Sequence, residues 1–377
     1  MPQPPMRCPM QGTPEMARYA PSVSIVITCY NYARYVAQAI ESALAQTHRA
    51  TETIVVDDGS TDTSLDVINR YRHRLKIIRQ DNCGHVAAVN RGFAASRGEI
   101  VLFLDADDLL RPYAVEAVAA AWRPSYTKVQ YELDVIDADG HRIGRFCRYV
   151  APYDAAQIQE EFRRFGTYVW PVLSGNAYSR WYLEQLMPLP VARAPDGYLN
   201  TLAPLYGSIK VVHEVLAAYR LHDSNLNYQG AAHAYEKRFA QRVSLRRVEV
   251  RHLQEHASQR SIELPPGDVL DNELTFVNYR LMLKRLGAPY EGSERDRIER
   301  LWWAGLNTLA RRPLPLPHKL AHALWLSVLS ASPSWLAKRL IDARFRNGPV
   351  WRRWYQKRSA QQDYAGAGTH ATASRTR

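Results

Sequence analysis

The chain has 377 residues, 46% hydrophobic and 23% charged, so it is long enough for one large or two modest globular domains and too apolar to be disordered by default. Its formal net charge of +12 would suit a nucleic-acid binder, but thirteen Lys or Arg against two Asp fall in residues 301–377, leaving thirty-six against thirty-five before them. No nucleic-acid module accompanies that basic stretch, so nucleic acid is not the expected partner. Cys8, Cys29, Cys83 and Cys147 lack paired spacing, which argues against a zinc site or a disulfide framework and for a reducing compartment. Residues 1–21, rich in Pro and polar side chains with no signal-type apolar core, read as a disordered leader.

From Val23 the pattern alternates. The run VSIVITCYN reads as a strand, and ARYVAQAIESALAQT as a helix with Val36, Ile40, Ala43 and Leu44 at helical spacing. TETIVVDDGS is a second strand and TDTSLDVINRYR a helix opened by capping-type residues. LKIIRQ is a third strand, HVAAVNRGFAASRG a helix closed by Gly98, and EIVLFLDADD a fourth strand. This order predicts an α/β fold with a parallel, doubly wound sheet and right-handed crossovers. After the helix PYAVEAVAAAW the regularity breaks, and Asp139-Gly140 between extended segments signals a hairpin. The second half is therefore α+β. Residues 165–228 are dense in aromatics, Gly and Pro, and helical patterning resumes from about Ala232 to Leu286.

Two strand ends carry acidic clusters, Asp57-Asp58 and Asp105, Asp107 and Asp108. In open α/β sheets ligands bind at the carboxyl ends of the strands, and Asp105 and Asp107, two apart in an extended segment, project to one side. Clustered carboxylates there call for a cation, and magnesium is held by one or two carboxylates together with a substrate's phosphates. The competing reading is that these aspartates only cap a helix starting near Pro112. Neither a Walker loop nor a Gly-x-Gly-x-x-Gly turn follows any strand, which argues against an ATPase or a dehydrogenase.

The blocks VSIVITCYNYARYVAQAIESALAQT, TIVVDDGSTD, GHVAAVNRGFAASRGE and VLFLDADD, in that order and spacing, resemble the family-two inverting glycosyltransferases of the GT-A fold. The resemblance covers about residues 22–225. It implies a Rossmann-like, mostly parallel sheet flanked by helices, here with a C-terminal helical extension. It implies Asp107 as direct ligand of Mn2+ or Mg2+, Asp105 as a metal or ribose contact, and Asp58 against the base, usually uracil, with Thr28 and Tyr30 beside it. It implies a nucleoside diphosphate-sugar donor and a glycan or lipid-linked acceptor of the cell envelope. In APDGYLNTLAPLYG it implies Asp196 as general base, a residue that also reads as a helix N-cap. SGNAYSR, with Gly175 and Asn176, resembles a substrate-side loop. YRLHDSNL resembles the terminal block, where His222 is either a metal or diphosphate neighbour or a hydrogen-bonded loop histidine. The Gln-x-x-Arg-Trp block of processive synthases is missing, which points to single additions. A non-catalytic GT-A module that binds nucleotide or tethers partners at a membrane is the alternative.

The domain expectation is a GT-A unit over 22–228, split into a nucleotide-binding half (22–122) and an acceptor-side half (123–228), then a helical region (229–300) and a basic amphipathic tail (301–377). The stretch 318–358 mixes Trp and Leu with basic residues, and Pro333 interrupts it, so it falls short of the roughly 20 apolar residues of a spanning helix. It reads either as a peripheral contact with an anionic membrane, placing the protein in the cytoplasm or on the inner face of the cell membrane, or as a helix packed on the main domain.

Overall fold

The computed structural model describes residues 21–48, 52–146, 153–222, 235–312 and 314–346. The expected leader therefore lies outside the described residues, as do Cys8, Cys147 and the end of the basic stretch.

Four strands, β1 (Val23–Cys29), β2 (Glu52–Asp57), β3 (Lys76–Arg79) and β4 (Ile100–Asp105), alternate with helices α1 (Val36–Leu44), α2 (Ser64–Asn69) and α3 (His85–Ala95). They pair in parallel in the order β3-β2-β1-β4. Their apolar runs lack alternation because both faces are covered: Ile25, Ile27, Leu102 and Leu104 pack with Val36 and Ile40 of α1, while Val26, Val101 and Phe103 pack with Val89 of α3 on the other side. Gly98 does not close α3, which ends three residues earlier. Its N–H donates to Ser24 Oγ at 2.7 Å, and a Cβ there would collide with the Ser24 backbone, so it is glycine because β1 passes against it.

Beyond β4 come β5 (Leu109–Leu110), α4 (Ala114–Ala121), β6 (Tyr126–Ile136), β7 (Arg142–Phe146), α5 (Ala155–Phe165), β8 (Asn176–Ser179), α6 (Arg180–Glu184), α7 (Pro195–Tyr206) and β9 (Ser208–Arg220). Here the sheet turns mixed: β8 is antiparallel to both β4 and β6, β6 runs parallel to β9, and β5 closes the order antiparallel to β9. The Asp139-Gly140 hairpin forms as expected between β6 and β7, with Gly140 N–H donating to Asp137 O at 3.1 Å.

The C-terminal helices are α8 (Tyr235–Gln259), α9 (Leu274–Leu286), α10 (Ile298–Arg311), α11 (Leu316–Ala331) and α12 (Ser334–Arg346). Within the helical patterning expected up to Leu286, Pro265, Pro266 and Gly267 separate α8 from α9. The expected boundary at residue 300 falls inside α10. Through residue 346 the basic stretch is folded: Leu301, Leu329 and Ile341 join Val250, Leu253 and Leu281 in the same apolar core as Leu199 and Leu202 of α7. Among the described residues no helix is long and apolar enough to cross a membrane.

Gly98→Ala should lower the unfolding free energy by about 1–3 kcal/mol, the usual cost of forcing atoms into a packed contact, as read by urea denaturation. An unchanged midpoint would show that the approach of residue 98 to β1 is not tight.

Candidate active site

The parallel register brings the carboxyl ends of β1, β2 and β4 level: Thr28 sits opposite Val56 on one side and Asp105 on the other, and Cys29 opposite Asp57. Backbone bonds continue past the strands, with Asp58 N–H donating to Cys29 O at 2.8 Å and Ala106 N–H to Thr28 O at 3.2 Å. The loops after β1 and β2 are tied together by the polar residues between them. Asn31 Oδ1 accepts from Thr61 N–H at 2.8 Å, while Ser64 Oγ and Asp62 Oδ2 accept from the N–H groups of Tyr32 and Ala33. The segment GSTD is thus a clamp for the loop that carries Tyr30, which is 41% exposed at the rim.

Asp58 is buried, and Gln80 Nε2, Cys83 N–H and Gly84 N–H donate to its carboxylate at 2.7, 2.9 and 2.9 Å. A carboxylate offers about four acceptor directions, so one remains for a ligand. Those bonds fold residues 80–84 into the turn that starts α3 and presents His85. Asp57, one residue back, is fully buried, with neither carboxylate oxygen hydrogen-bonded among the described residues. Burial, with a further push from the Asp57 charge, raises the Cys29 thiol to about 12.

The DADD turn gathers three carboxylates of graded exposure. Asp105 is partly open, its N–H donates to Ser174 Oγ at 3.2 Å, and its Oδ1 lies 3.1 Å from His85 Nε2. Asp107 is buried, its Oδ2 3.0 Å from His222 Nε2. Asp108 is wholly buried, and its Oδ1 accepts from Arg220 N–H at 2.9 Å. None of the three caps α4, whose N-cap, Tyr113, makes no side-chain cap bond. Burial and then the Asp107 and Asp105 charges hold Asp108 well above the usual carboxylate range. Asp107 is also raised, by burial and by Asp105, against the opposing pull of His222. The Tyr32 hydroxyl, hydrogen-bonded to Asp107, is pushed up by burial and by all three carboxylates. Such a cluster favours whatever brings in positive charge.

Arg220, at the end of β9, pins this turn. It is 1% exposed; its Nε donates to Asp107 O at 2.8 Å, its Nη2 to Gln38 Oε1 at 2.7 Å, and its guanidinium lies over the Tyr35 ring. Its neighbour His222 packs edge-on to Tyr32 and 4.8 Å from the Tyr35 ring. His222 is thus a hydrogen-bonded histidine placed against the carboxylate turn.

Asp196 lies in the first turn of α7, one residue past Pro195, and Ala194 rather than Asp196 is the N-cap. Burial and the Asp105 charge raise its pKa, while His85 and the N–H groups at the start of α7 oppose them. Burial alone would depress His85, but Asp105, Asp196 and Asp107 outweigh it and leave it raised. His85 thus senses the carboxylate turn and Asp196 together. From the far side Glu249 of α8 abuts Gly197, where any Cβ would strike its carboxylate, and it pairs with the buried Arg246 at 2.6 Å. Burial, partly offset by Arg246, raises Glu249 to about 7.

Gly175 and Asn176, expected in a substrate loop, lie beneath the site instead. A Cβ on Gly175 would meet Pro171 and Leu133, and the fully buried Asn176 amide is spent on Lys128 Nζ at 2.7 Å and Val172 O at 2.8 Å. It is Ser174, just before them, that reaches Asp105. His85, Arg220, Tyr32, Ser174 and Glu249 were not singled out from the sequence. Tyr32, His85, Ser174 and Arg220 all stood in blocks already noted, and only Glu249 lay outside them.

A half-parallel, half-mixed sheet with an Asp-x-Asp turn at its carboxyl edge is the architecture of the GT-A glycosyltransferases. A crystal structure of Staphylococcus aureus TarS, residues 1–349, matches it with a TM-score of 0.51 over 82% of this chain and 90% of that one, at 18% identity. The model of glycosyl transferase family 2 matches residues 24–177. An uncharacterized glycosyltransferase of Nostoc sp. is 37% identical over 225 residues, 56% of this chain and 68% of the relative, and glycosyltransferase GlyA of Streptococcus pneumoniae is 29% identical over 226 residues, 54% of this chain but only 31% of that protein. The chain belongs to glycosyl transferase family 2 and is a glycosyltransferase enzyme.

A carboxyl whose pKa is raised on folding stabilises the native state most below its unfolded value and loses that contribution as pH rises through the folded one. For Glu249 the window runs from about pH 4.5 to about 7. Glu249→Gln, which cannot ionise, should therefore gain stability relative to the parent as pH rises through that window in paired thermal melts. A pH-independent difference would remove Glu249 from the titration.

Proposed function

We propose that this glycosyltransferase moves a sugar from a nucleoside diphosphate, most naturally UDP, to a hydroxyl of a cell-envelope glycan or lipid-linked acceptor, with inversion and with the help of Mn2+ or Mg2+. The observation that carries this reading is the set of three carboxylates, Asp105, Asp107 and Asp108, packed into one turn, with His85 Nε2 3.1 Å from Asp105 and raised by the charges of Asp105 and the candidate base Asp196. The donor set fits the ion: hard carboxylate oxygens, crowded so that burial and mutual repulsion raise Asp107 and Asp108. Asp107 and Asp105 would hold it, and the bound ion would supply charge neutralisation to the departing diphosphate.

The protein's own residues do the rest. The remaining acceptor direction of Asp58, with Thr28 and Tyr30 beside it, receives the base and ribose. Asp196 takes the proton from the acceptor hydroxyl as its oxygen bonds to the anomeric carbon and the bond to the diphosphate oxygen breaks. Attack and departure on opposite faces of that carbon invert it. His222 and Tyr32 hold Asp107, and His85 stands against Asp105. The GT-A unit over 22–228, the single-addition mode and a working place at the cytoplasmic face of the membrane belong to the same proposal.

Asp107→Asn should abolish turnover while leaving the far-UV circular dichroism and melting curve intact; retained activity would remove Asp107 as a metal ligand. Asp196→Asn should keep nucleotide-sugar binding by calorimetry and lose roughly 10²- to 10⁴-fold in kcat, the usual worth of a positioned base. Because Asp196 acts deprotonated and its pKa is raised, kcat/KM of the parent should fall as pH drops through a value above the ordinary carboxylate range of 3.8. A flat acid limb would contradict that role.

A further inference from the structure

The basic stretch does not present a uniform surface. Helix α11 buries Leu326 and Leu329 against the helical core and turns its opposite side outward. At 100° per residue, Leu316, Pro317, Leu320, Ala321, Leu324 and Val328 fall on one continuous side of the helix, and every one of them is exposed. Leu316, Leu320 and Leu324 are 66%, 60% and 66% exposed. The face contains no charged residue. Its edge toward α10 is marked by Ser327, which accepts from Trp302 Nε1 at 3.0 Å, and the adjoining Trp303 ring, 4.7 Å from that of Trp302, is largely open. Trp335, at the start of α12, is likewise open beneath Arg339.

Soluble proteins rarely leave such a contiguous apolar patch uncovered, so the face has an occupant. Charge says which. Residues 301–346 carry seven Lys or Arg against a single acid, Asp342, which accepts from the Tyr235 hydroxyl at 2.5 Å. Arg312 is spent on Glu161 and Arg344 lies over Trp325, but Arg311, Lys338 and Arg339 are exposed. A second copy docked here would bring two net-positive segments together. An anionic bilayer satisfies both features, taking up the leucines while its headgroups meet the cations, and tryptophan favours that same interfacial depth.

We propose that the outer face of α11, flanked by Trp303 and Trp335, is a docking surface for an anionic lipid bilayer. The helix lies in the membrane plane with Leu316, Leu320 and Leu324 in the headgroup–acyl boundary. This differs from a contact spread along 318–358: it begins earlier in the chain, and it uses the leucine face of one helix rather than the whole basic amphipathic stretch. It rests on the membrane-side placement proposed above and not on the transfer chemistry.

The test is flotation of the full chain with phosphatidylcholine vesicles, with and without phosphatidylglycerol, for the parent and for the double variant Leu320→Glu/Leu324→Glu. Both positions are exposed, so the fold should persist, and UDP titration of both proteins reports the nucleotide site separately. The expected result is salt-sensitive binding to the phosphatidylglycerol vesicles that weakens at least about tenfold in the variant, or about 1.4 kcal/mol. Absence of flotation by the parent, or equal flotation of the two proteins, overturns the proposal. So does a parent that is dimeric by light scattering and a variant that is monomeric, with neither bound to vesicles, because a second copy would then cover the face.

Discussion

Everything around the carboxyl edge of this sheet answers one electrostatic problem: three aspartates within four residues, two of them buried, at the end of a buried strand. In a low-dielectric setting such charges repel strongly, and the protein meets the repulsion from three directions. Arg220 fixes the turn's backbone and donates its own N–H to Asp108. His222 and Tyr32 hold Asp107. His85, delivered by a turn folded around Asp58, faces Asp105. None of these cancels the cluster, since Asp107 and Asp108 stay raised. A folded protein that keeps such a concentration of acceptors has stability to gain from a bound cation.

The fold can be understood as the means of assembling that edge. The parallel half stacks β1, β2 and β4 so that their ends coincide, and the mixed half returns the chain twice to the same place. The segment before β8 brings Ser174 under Asp105, and β9 carries Arg220 and His222 back from the far end of the sheet. The C-terminal helices are not an appendage to this arrangement. Through Glu249, α8 closes over the first turn of α7, and Gly197 is the small residue that lets it approach. The helical extension thereby sets the environment of Asp196 as directly as the sheet does.

Much of the first hundred residues was legible because one physical rule governs them. Strands covered on both faces are short apolar runs, helices between them show a 3.6-residue period, and acidic residues at the strand ends stand out against both. The residues opening the helix after β2 read as capping-type, but the α2 N-cap, Thr63, makes no side-chain cap bond, and the GSTD segment instead clamps the loop after β1. The glycine at 98 was visible but its reason was not, because a close approach to Ser24 is a tertiary fact. His85, Ser174 and Glu249 were hidden for the same cause. Each acts on a residue far away in sequence, at a spacing that no local pattern records. Asn176, placed by the resemblance in a substrate-side loop, is fully buried in the structure, its amide bonded to a buried lysine and a backbone carbonyl. The basic C-terminal stretch left two readings open, a membrane contact or a helix packed on the main domain, and through residue 346 it packs in the core, on neighbours that a single sequence does not display.

The claim that joins these parts is that the carboxylate turn closes on a metal-bound nucleoside diphosphate. Calorimetric titration of the purified protein with UDP, run with and without Mn2+, tests it most directly. Saturable binding that requires the metal, and that is lost in Asp107→Asn, is the predicted result. Binding of UDP to the same extent with or without the metal would contradict it, and would leave the three aspartates in need of another explanation.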